Sequence, residues 1–232
     1  MPSRYRPRRV SLRDGREVTL RAIAETDATK IVQAFERLSA ASRYYRFMRY
    51  KKNLDDAALE RGVHPQPGRE FAFVATIPAA DGIDIIGAGQ YVRASEGDER
   101  TCEFAITVAE DWRGNGLATR LLSSLMRRAR LDGYETMEGW VIAQNTPMLA
   151  VARKLRFKIE PVPGDATVLR AQLALQRPTT ATEVTHASCC LPARTAAGCQ
   201  APVAEDGAAA RRARRVSGAL AGLVPDMCVE DL

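Results

Sequence analysis

The residues with the clearest chemical signal are Arg113, Gly114, Gly116 and Ala118, which lie between a strand-like run and the start of an amphipathic helix. The first amides of a helix have no partner within it, and the helix dipole makes this end positive. Glycine lets the backbone come close to an anion because it has no Cβ. The segment therefore predicts a phosphate-binding turn. An ordinary helix start that contains glycine is the alternative.

Two common phosphate loops do not fit this segment. No Gly-Lys-Ser/Thr follows, which excludes a Walker loop, and Gly-x-Gly-x-x-Gly is absent, which excludes the dinucleotide fingerprint. The spacing Arg113-x-x-Gly116-x-Ala118 resembles the acyl-CoA pyrophosphate loop of the GNAT acetyltransferase superfamily, Gln/Arg-x-x-Gly-x-Gly/Ala. The resemblance implies that acetyl-CoA is the co-substrate. The binding residues that it implies are Ile106, Thr107, Val108, Arg113, Gly114, Asn115, Gly116, Leu117, Ala118, Thr119 and Asn145.

The strand before the loop is expected to offer free backbone groups. In the GNAT family this strand carries a bulge and splays away from its neighbour. The resemblance therefore implies that backbone groups near Ile106, Thr107 and Val108 pair with the pantetheine arm and with the carbonyl oxygen of the thioester.

Glu103 is the candidate general base. Alternation along its apolar strand places it on the same face as Ala105 and Thr107, and partial burial would raise its pKa. From the residues alone, a glutamate on the wet face of the strand is the alternative. A lysine amine has a pKa of about 10.4 and needs a base before it attacks a thioester. The resemblance implies that Glu103 is this base and that attack is direct.

A second segment begins at Asn145, which the residues alone predict to cap a helix. It resembles the GNAT pattern Asn-x-x-Ala-x-x-x-Tyr-x-Lys-x-Gly-Phe, in which the Asn meets the pantetheine or the carbonyl. Two positions depart from that pattern. Ala152 replaces the tyrosine that many members use as general acid, and Arg156 replaces a glycine, which makes a tight turn less comfortable.

Residues 35–47 form a third segment, which resembles the FxRLSxxSRYxRF helix pair of GNAT domains in bacterial protein lysine acetyltransferases. A helix pair that only packs on the core is the alternative. The resemblance implies that these helices shape the acceptor side, with Arg43, Tyr44 and Arg46 as contacts. A protein lysine is then the first candidate acceptor and a small amine the second.

Hydrophobic periodicity predicts the elements that position these residues. The predicted strands are 17–22, 70–77, 84–94, 100–108, 136–142, 157–161 and 167–175, and the predicted helices start near 26, 43, 54, 117 and 145. This order indicates an α/β (α+β) fold with a mixed, mostly antiparallel central sheet and helices on both faces, as in GNAT proteins. We predict a basic arm over 1–16, a GNAT domain over 17–175 and a low-complexity, disordered tail over 176–232.

Charge and composition limit the remaining function classes. The net charge is +6, and residues 1–16 alone hold six Arg and one Asp. A solvated arm is the expectation, while an arm that contacts nucleic acid would bind in a salt-sensitive way. The spacing of the Cys residues argues against a zinc site. No apolar run reaches the roughly 18 residues of a membrane span, and no signal peptide is present, so a cytoplasmic protein is expected.

Two functions are carried forward. The first is an acetyl-CoA-dependent N-acetyltransferase, and the second is a non-catalytic acetyl-CoA-binding regulatory module, for which the missing tyrosine is the sequence argument. The oligomeric state is not indicated by the sequence.

Overall fold

The computed structural model describes residues 5–175, which form one eight-stranded sheet and five helices. The strands are β1 (Arg8–Ser11), β2 (Glu17–Ala22), β3 (Glu70–Ala79), β4 (Gly82–Ser95), β5 (Asp98–Val108), β6 (Thr136–Ile142), β7 (Lys158–Val162) and β8 (Asp165–Ala174). The helices are α1 (Ala28–Glu36), α2 (Ala40–Phe47), α3 (Asp56–Val63), α4 (Leu117–Leu131) and α5 (Thr146–Lys154).

The strand order is β1-β2-β3-β4-β5-β6-β8-β7. Neighbouring strands pair antiparallel except β5 and β6, which run parallel because α4 connects them as a crossover. The predicted mixed, mostly antiparallel sheet is therefore confirmed, and β2 and β6 have the predicted bounds.

Helices cover both faces of the sheet. On one face α4 lies close to β4, since a Cβ on Gly87 would be 3.2 Å from Leu121 Cδ1 and one on Gly89 would be 3.3 Å from Leu125 Cδ1. The apolar stripe of α4 is buried in the main core with side chains from most strands and from α5. On the other face, α1, α2 and α3 pack over β3, β4 and β5, around a smaller cluster that includes Phe35 and Phe47.

The N-terminal segment differs from the prediction of a solvated arm. Residues 8–11 form the edge strand β1, with Val10 opposite Val18 of β2. Val10 and Leu12 are buried, so alternate apolar side chains hold this basic stretch on the core. The same packing buries Ser124 of α4, and its hydroxyl lies 3.5 Å from Arg8 Nη2.

The predicted tail, 176–232, lies outside the described residues. Within 5–175, no helix is long and apolar enough to cross a membrane. The same range contains no group of three or more His, Cys, Asp or Glu side chains that could hold a metal ion.

Candidate active site

A cleft opens where β5 and β6 separate. The two strands pair only from Thr101 to Glu103, although β5 continues to Val108 and β6 to Ile142. The ring of Phe104 fills the start of the gap, because a Cβ on Gly139 would lie 2.6 Å from Phe104 Cε1. The expected splay is therefore present, and a side chain at position 139 would compete with the ring for the same space.

The expected bulge is not present in the paired part of β5. Pairing with β4 runs without a register shift from Gly87–Val108 to Arg93–Cys102. The cleft therefore opens between two strands that each stay regular against their other neighbour, β5 against β4 and β6 against β8.

The cleft has a volume of about 430 Å³ and brings the sequence-predicted residues together. Glu103 and all the predicted binding residues line it except Asn115, which lines an adjoining groove. Segments 140 residues apart in sequence thus form one surface, from Arg13 in the turn after β1 to Lys154 at the end of α5.

The loop before α4 presents free backbone at one end of the cleft. Gly114 has φ 79° and Gly116 has φ 87°, a left-handed conformation that strains residues with a Cβ. Gly116 is the N-cap of α4 and contributes no side-chain cap, so the first amides of the helix have no intrahelical acceptor. Left-handed glycines and unpaired amides at a helix start are features that sites for anions commonly have, and phosphate binding here stays a prediction.

The Arg113 side chain points back into the protein. Its Nε donates to the carbonyl of Val108 at 3.3 Å, and its Nη2 donates to Ser42 Oγ at 2.7 Å. Arg13 lies beside the loop instead, with its Nε 3.6 Å from the position of a Cβ on Gly116. Sequence reasoning missed Arg13 because its neighbours were assigned to a solvated arm, and only the pairing of β1 with β2 brings it here.

Glu110 ties this loop to α2. Its Oε1 accepts from the backbone N–H of Ser39 at 3.1 Å and from the hydroxyl of Ser42 at 2.5 Å, and Arg113 Nη2 lies 3.4 Å away. Although partial burial opposes ionisation, these hydrogen bonds lower the pKa of Glu110 from its ordinary 4.5 to about 2. Ser39 and Ser42 of the third segment therefore fix the position of the loop before α4.

The backbone of β5 faces the cleft at alternate residues. The carbonyl oxygen of Thr107 lies 3.2 Å from the position of a Cβ on Gly87, so it is directed at β4. Because neighbouring residues of a strand point their backbone groups to opposite sides, Ile106 and Val108 point theirs at the cleft. The Val108 carbonyl already accepts a hydrogen bond from Arg113. The N–H and C=O of Ile106 and the N–H of Val108 are therefore the backbone groups that β5 offers to the cleft.

Glu103 lies half-buried in the cleft, on the face predicted by strand alternation. Burial raises its pKa well above the ordinary value, and the neighbouring carboxylate of Glu138, its register partner on β6, raises it further. The positive charge of Arg46 acts in the opposite direction. Glu138 is itself buried and accepts from Arg170 at 2.5 Å.

Three of the α2 residues had been predicted as acceptor contacts, and one of them lines the cleft. Arg46 lines the cleft. Burial lowers the pKa of Arg46 to about 10, although the negative charge of nearby Glu103 acts in the opposite direction. Arg43 instead donates to the backbone carbonyls of Glu36, Leu38 and Lys52. The ring of Tyr44 lies 5.2 Å from that of Tyr50.

Trp140 is a cleft residue that the sequence did not single out. It lies two residues after Glu138 on β6, so both point to the same face. Its indole nitrogen is buried and has no hydrogen-bond acceptor among the described residues. Buried indole N–H groups usually have a partner.

Three residues of the segment after β6 stand at marked positions of the sequence pattern, and the structure shows the surroundings of each. Asn145 Oδ1 accepts from the Met148 amide at 3.3 Å, which confirms the predicted helix cap, and Asn145 also lines the cleft. Ala152 is fully buried in the core. Arg156 adopts φ 68°, the left-handed conformation for which glycine is the usual residue.

An apolar chamber adjoins the cleft under α1, α2 and α3. Its volume is about 120 Å³, and its walls include Phe35, Leu59 and Ala88. It shares Arg46, Gln90, Ala105 and Thr107 with the cleft, so the two spaces meet beside the open edge of β5.

Comparison with known proteins agrees with this geometry. A family model described as an acetyltransferase (GNAT) domain matches residues 17–158. An acetyltransferase of Pseudomonas aeruginosa is 33% identical over 165 residues, which cover 71% of this chain and 88% of that protein.

Two solved structures share the fold. The GNAT domain of PAT from S. lividans is 26% identical, with a TM-score of 0.67, and the match covers 73% of this chain and 97% of that one. The yncA structure from Salmonella typhimurium, which was solved with its cofactor acetyl-CoA, is 21% identical with a TM-score of 0.57. That match covers 70% of this chain and 96% of the other.

Proposed function

Because this chain belongs to the GNAT acetyltransferase family, we propose that it moves the acetyl group of acetyl-CoA to a primary amine by direct attack, with Glu103 as general base. One observation carries this proposal. A half-buried carboxylate with a raised pKa lies in the same cleft as an open strand edge and an uncapped, glycine-lined helix start.

The chain's residues fit acetyl-CoA, which supplies the activated acetyl thioester. Amides of residues 114–119 bind its pyrophosphate, since a Cβ is absent at both left-handed positions. Arg13 adds positive charge there, and Arg113 holds the loop in place through Ser42. Asn145 keeps its side-chain amide nitrogen available for the pantetheine arm while its oxygen caps α5.

The free backbone of β5 orients the thioester. Ile106 and the Val108 amide offer the hydrogen-bonding groups that β6 leaves unpaired. A backbone N–H aimed at the carbonyl oxygen stabilises the negative charge that develops there during attack.

Glu103 takes a proton from the ammonium form of the acceptor, directly or through a water, so that the neutral amine attacks the thioester carbonyl. The raised pKa of Glu103 is closer to the pKa of the amine than an ordinary glutamate pKa is. Its carboxylate is therefore a stronger base. As the new C–N bond forms, the C–S bond breaks and the electron pair leaves with sulfur. The nitrogen then loses its extra proton and becomes the amide. Ala152 supplies no acid, so the thiolate leaves unassisted and is protonated through water, which carries the proton lost by the nitrogen.

A protein lysine is the acceptor that we propose first, and a small amine is the second. The chamber beside Thr107 is apolar, which suits the methylene stem of a lysine whose amine reaches Glu103.

The test measures thiol release from acetyl-CoA with lysine-containing proteins and small amines. Glu103→Gln should lower kcat by about a hundredfold or more, while the Kd for acetyl-CoA stays within about threefold. Glu96→Gln, an exposed glutamate on the β4–β5 hairpin, is the matched control and should leave turnover unchanged. Acetyl-CoA binding without turnover on any acceptor would instead support the regulatory module.

The acceptor side is tested separately. Ala88→Leu fills part of the chamber and should raise the acceptor KM about tenfold without changing the Kd for acetyl-CoA. Ala57→Leu, the same change on the exposed side of α3, is the control. An unchanged acceptor KM in Ala88→Leu would show that the chamber does not receive the acceptor.

A further inference from the structure

A small group of polar side chains stands where the apolar chamber meets the cleft. Arg46 and Gln90 line both spaces, and Glu103 lines the cleft. Among the described residues of the chamber wall, Arg46 is the only charged one, so it is the charge that an occupant of the chamber would meet. An apolar pocket with a few converging polar groups is the usual form of a site for a small organic group.

The strand register places Gln90 close to Glu103. Gln90 of β4 pairs with Ala105 of β5, and Val92 pairs with Glu103. Paired residues of antiparallel strands point to the same face of a sheet, and so do residues two apart on one strand. Gln90 and Glu103 are therefore diagonal neighbours on the face over which α2, the helix of Arg46, packs.

Arg46 is half-buried, but its guanidinium has no polar partner. Within residues 5–175 it has no hydrogen-bond acceptor and no carboxylate within 4.0 Å, and its guanidinium carbon lies 5.1 Å from the ring centre of Phe47. The side-chain amide of Gln90 has no hydrogen bond in the same range. A guanidinium offers five N–H donors. The charges of Arg46 and Glu103 thus face one cleft without forming an ion pair, and both remain available to a ligand.

This arrangement is complementary to an acceptor that carries two opposite charges. In the proposed function, on which this inference rests, the ammonium of the acceptor faces Glu103. Glu138, the other carboxylate beside Glu103, is already paired with Arg170. We propose that Arg46 and Gln90 bind a carboxylate of the acceptor, so that the enzyme selects amines that have a carboxylate near them.

A guanidinium matches a carboxylate in geometry as well as in charge, because two parallel N–H groups reach its two oxygens. The carboxylate belongs either to an Asp or Glu next to the acceptor lysine of a protein or to the α-carboxylate of a free amino acid. Both sources present the same chemistry to Arg46. In both, the chamber receives the apolar part of the acceptor.

The test measures binding by calorimetry on the full chain with CoA present, since CoA fills the cofactor site without transferring an acetyl group. One ligand pair is leucine and leucinamide. The other is two peptides, capped at both ends, that differ only in Asp or Asn after a single lysine. At about pH 6.5 all these amines are mostly protonated. The carboxylate member of at least one pair should bind about tenfold more tightly to the wild type.

Three variants assign this preference to a residue. Arg46→Gln should reduce it to about twofold or less, and Arg46→Lys, which keeps the charge but not the paired N–H groups, should retain part of it. Arg49→Gln, which lies outside both spaces, should keep the wild-type preference. A change in the ionisation of Glu103 acts equally on both members of a pair, so the ratio reports on the carboxylate alone.

The outcomes separate this inference from the proposed function. A preference within the peptides assigns the carboxylate to a protein acceptor, and one within the leucine pair assigns it to a free amino acid. Equal binding within both pairs, no binding of any of the four ligands, or a preference unchanged in Arg46→Gln overturns the inference and leaves the acetyl-CoA site standing. The proposed function fails separately, if acetyl-CoA does not bind or if acceptors that bind cause no thiol release.

Discussion

Arg113 donates a 2.7 Å hydrogen bond to Ser42, and this contact joins the loop before α4 to α2, the helix beside the apolar chamber. Ser42 in turn donates to Glu110, which also accepts from the Ser39 amide. The residue that the spacing Arg-x-x-Gly-x-Ala predicted to face phosphate therefore connects two sides of the site. If the proposed function is correct, binding of acetyl-CoA and placement of the acceptor share this support.

Ser42→Ala should lower the stability of the fold and weaken the binding of acetyl-CoA. Ser42 is buried, and loss of its hydroxyl removes one hydrogen bond from Glu110 and one from Arg113, which we expect to cost about 1–2 kcal/mol in the free energy of unfolding. The Kd for acetyl-CoA should rise several-fold because the loop loosens. Urea unfolding and calorimetry measure the two effects.

The cost of Ser42→Ala should depend on pH. The folded-state pKa of Glu110 is about 2, below its ordinary 4.5, so its ionised form stabilises the fold above pH 4.5 and this contribution is lost as the pH falls towards 2. The stability difference between wild type and variant should therefore narrow over that interval. A difference that stays constant from pH 7 to pH 3 would show that the carboxylate is not involved.

Arg46→Gln should move the acid side of the pH–rate profile. Glu103 must be ionised to act as a base, so kcat/KM falls as the pH drops through its raised pKa. The charge of Arg46 holds that pKa down, and its removal should shift the midpoint upward by about one pH unit. Arg46→Lys should restore most of the shift, and Arg49→Gln, nearby in the chain, should leave the midpoint in place. A downward shift would contradict the assignment of Glu103.

Gly139→Ala should disturb the opening of the sheet. The added Cβ would lie 2.6 Å from the Phe104 ring, which also packs edge-on against Phe157 at 5.3 Å. We expect a loss of about 1–3 kcal/mol in the free energy of unfolding. Gly97→Ala, where nothing lies within 4 Å of the new Cβ, is the control. Adding Phe104→Leu to Gly139→Ala should recover part of the loss, and no recovery would show that the ring is not the obstacle.

Arg156→Gly should stabilise the protein. Arg156 holds a left-handed conformation that costs a residue with a Cβ about 1 kcal/mol, and part of this gain is offset because glycine makes the unfolded chain more flexible. A rise in Tm of a few degrees is expected. The same substitution at Arg153, an exposed position within α5, should lower Tm. Equal effects at the two positions would argue against strain at Arg156.

Local patterns account for most of the elements but not for the contacts between them. Strict alternation of apolar and polar residues predicted β2, and the apolar stripe from Leu117 predicted α4. Both patterns arise because each element buries one face. β1 was missed because Val10 and Leu12 stand among arginines and their burial depends on pairing with β2. The direction of the Arg113 side chain depends on Ser42, 71 residues away, and no spacing in the sequence records it.

The three-residue pairing of β5 with β6 makes the sheet incomplete along one seam. Beyond that seam, two strand edges lie open to solvent, and a substrate whose arm carries amide groups would close the gap as an additional strand. Each catalytic cycle would then seal and reopen the sheet, so product release would be the loss of a strand partner. Amide exchange along Thr136–Ile142 should therefore slow when substrate is bound, and occupancy should raise resistance to unfolding more than one small ligand contact would.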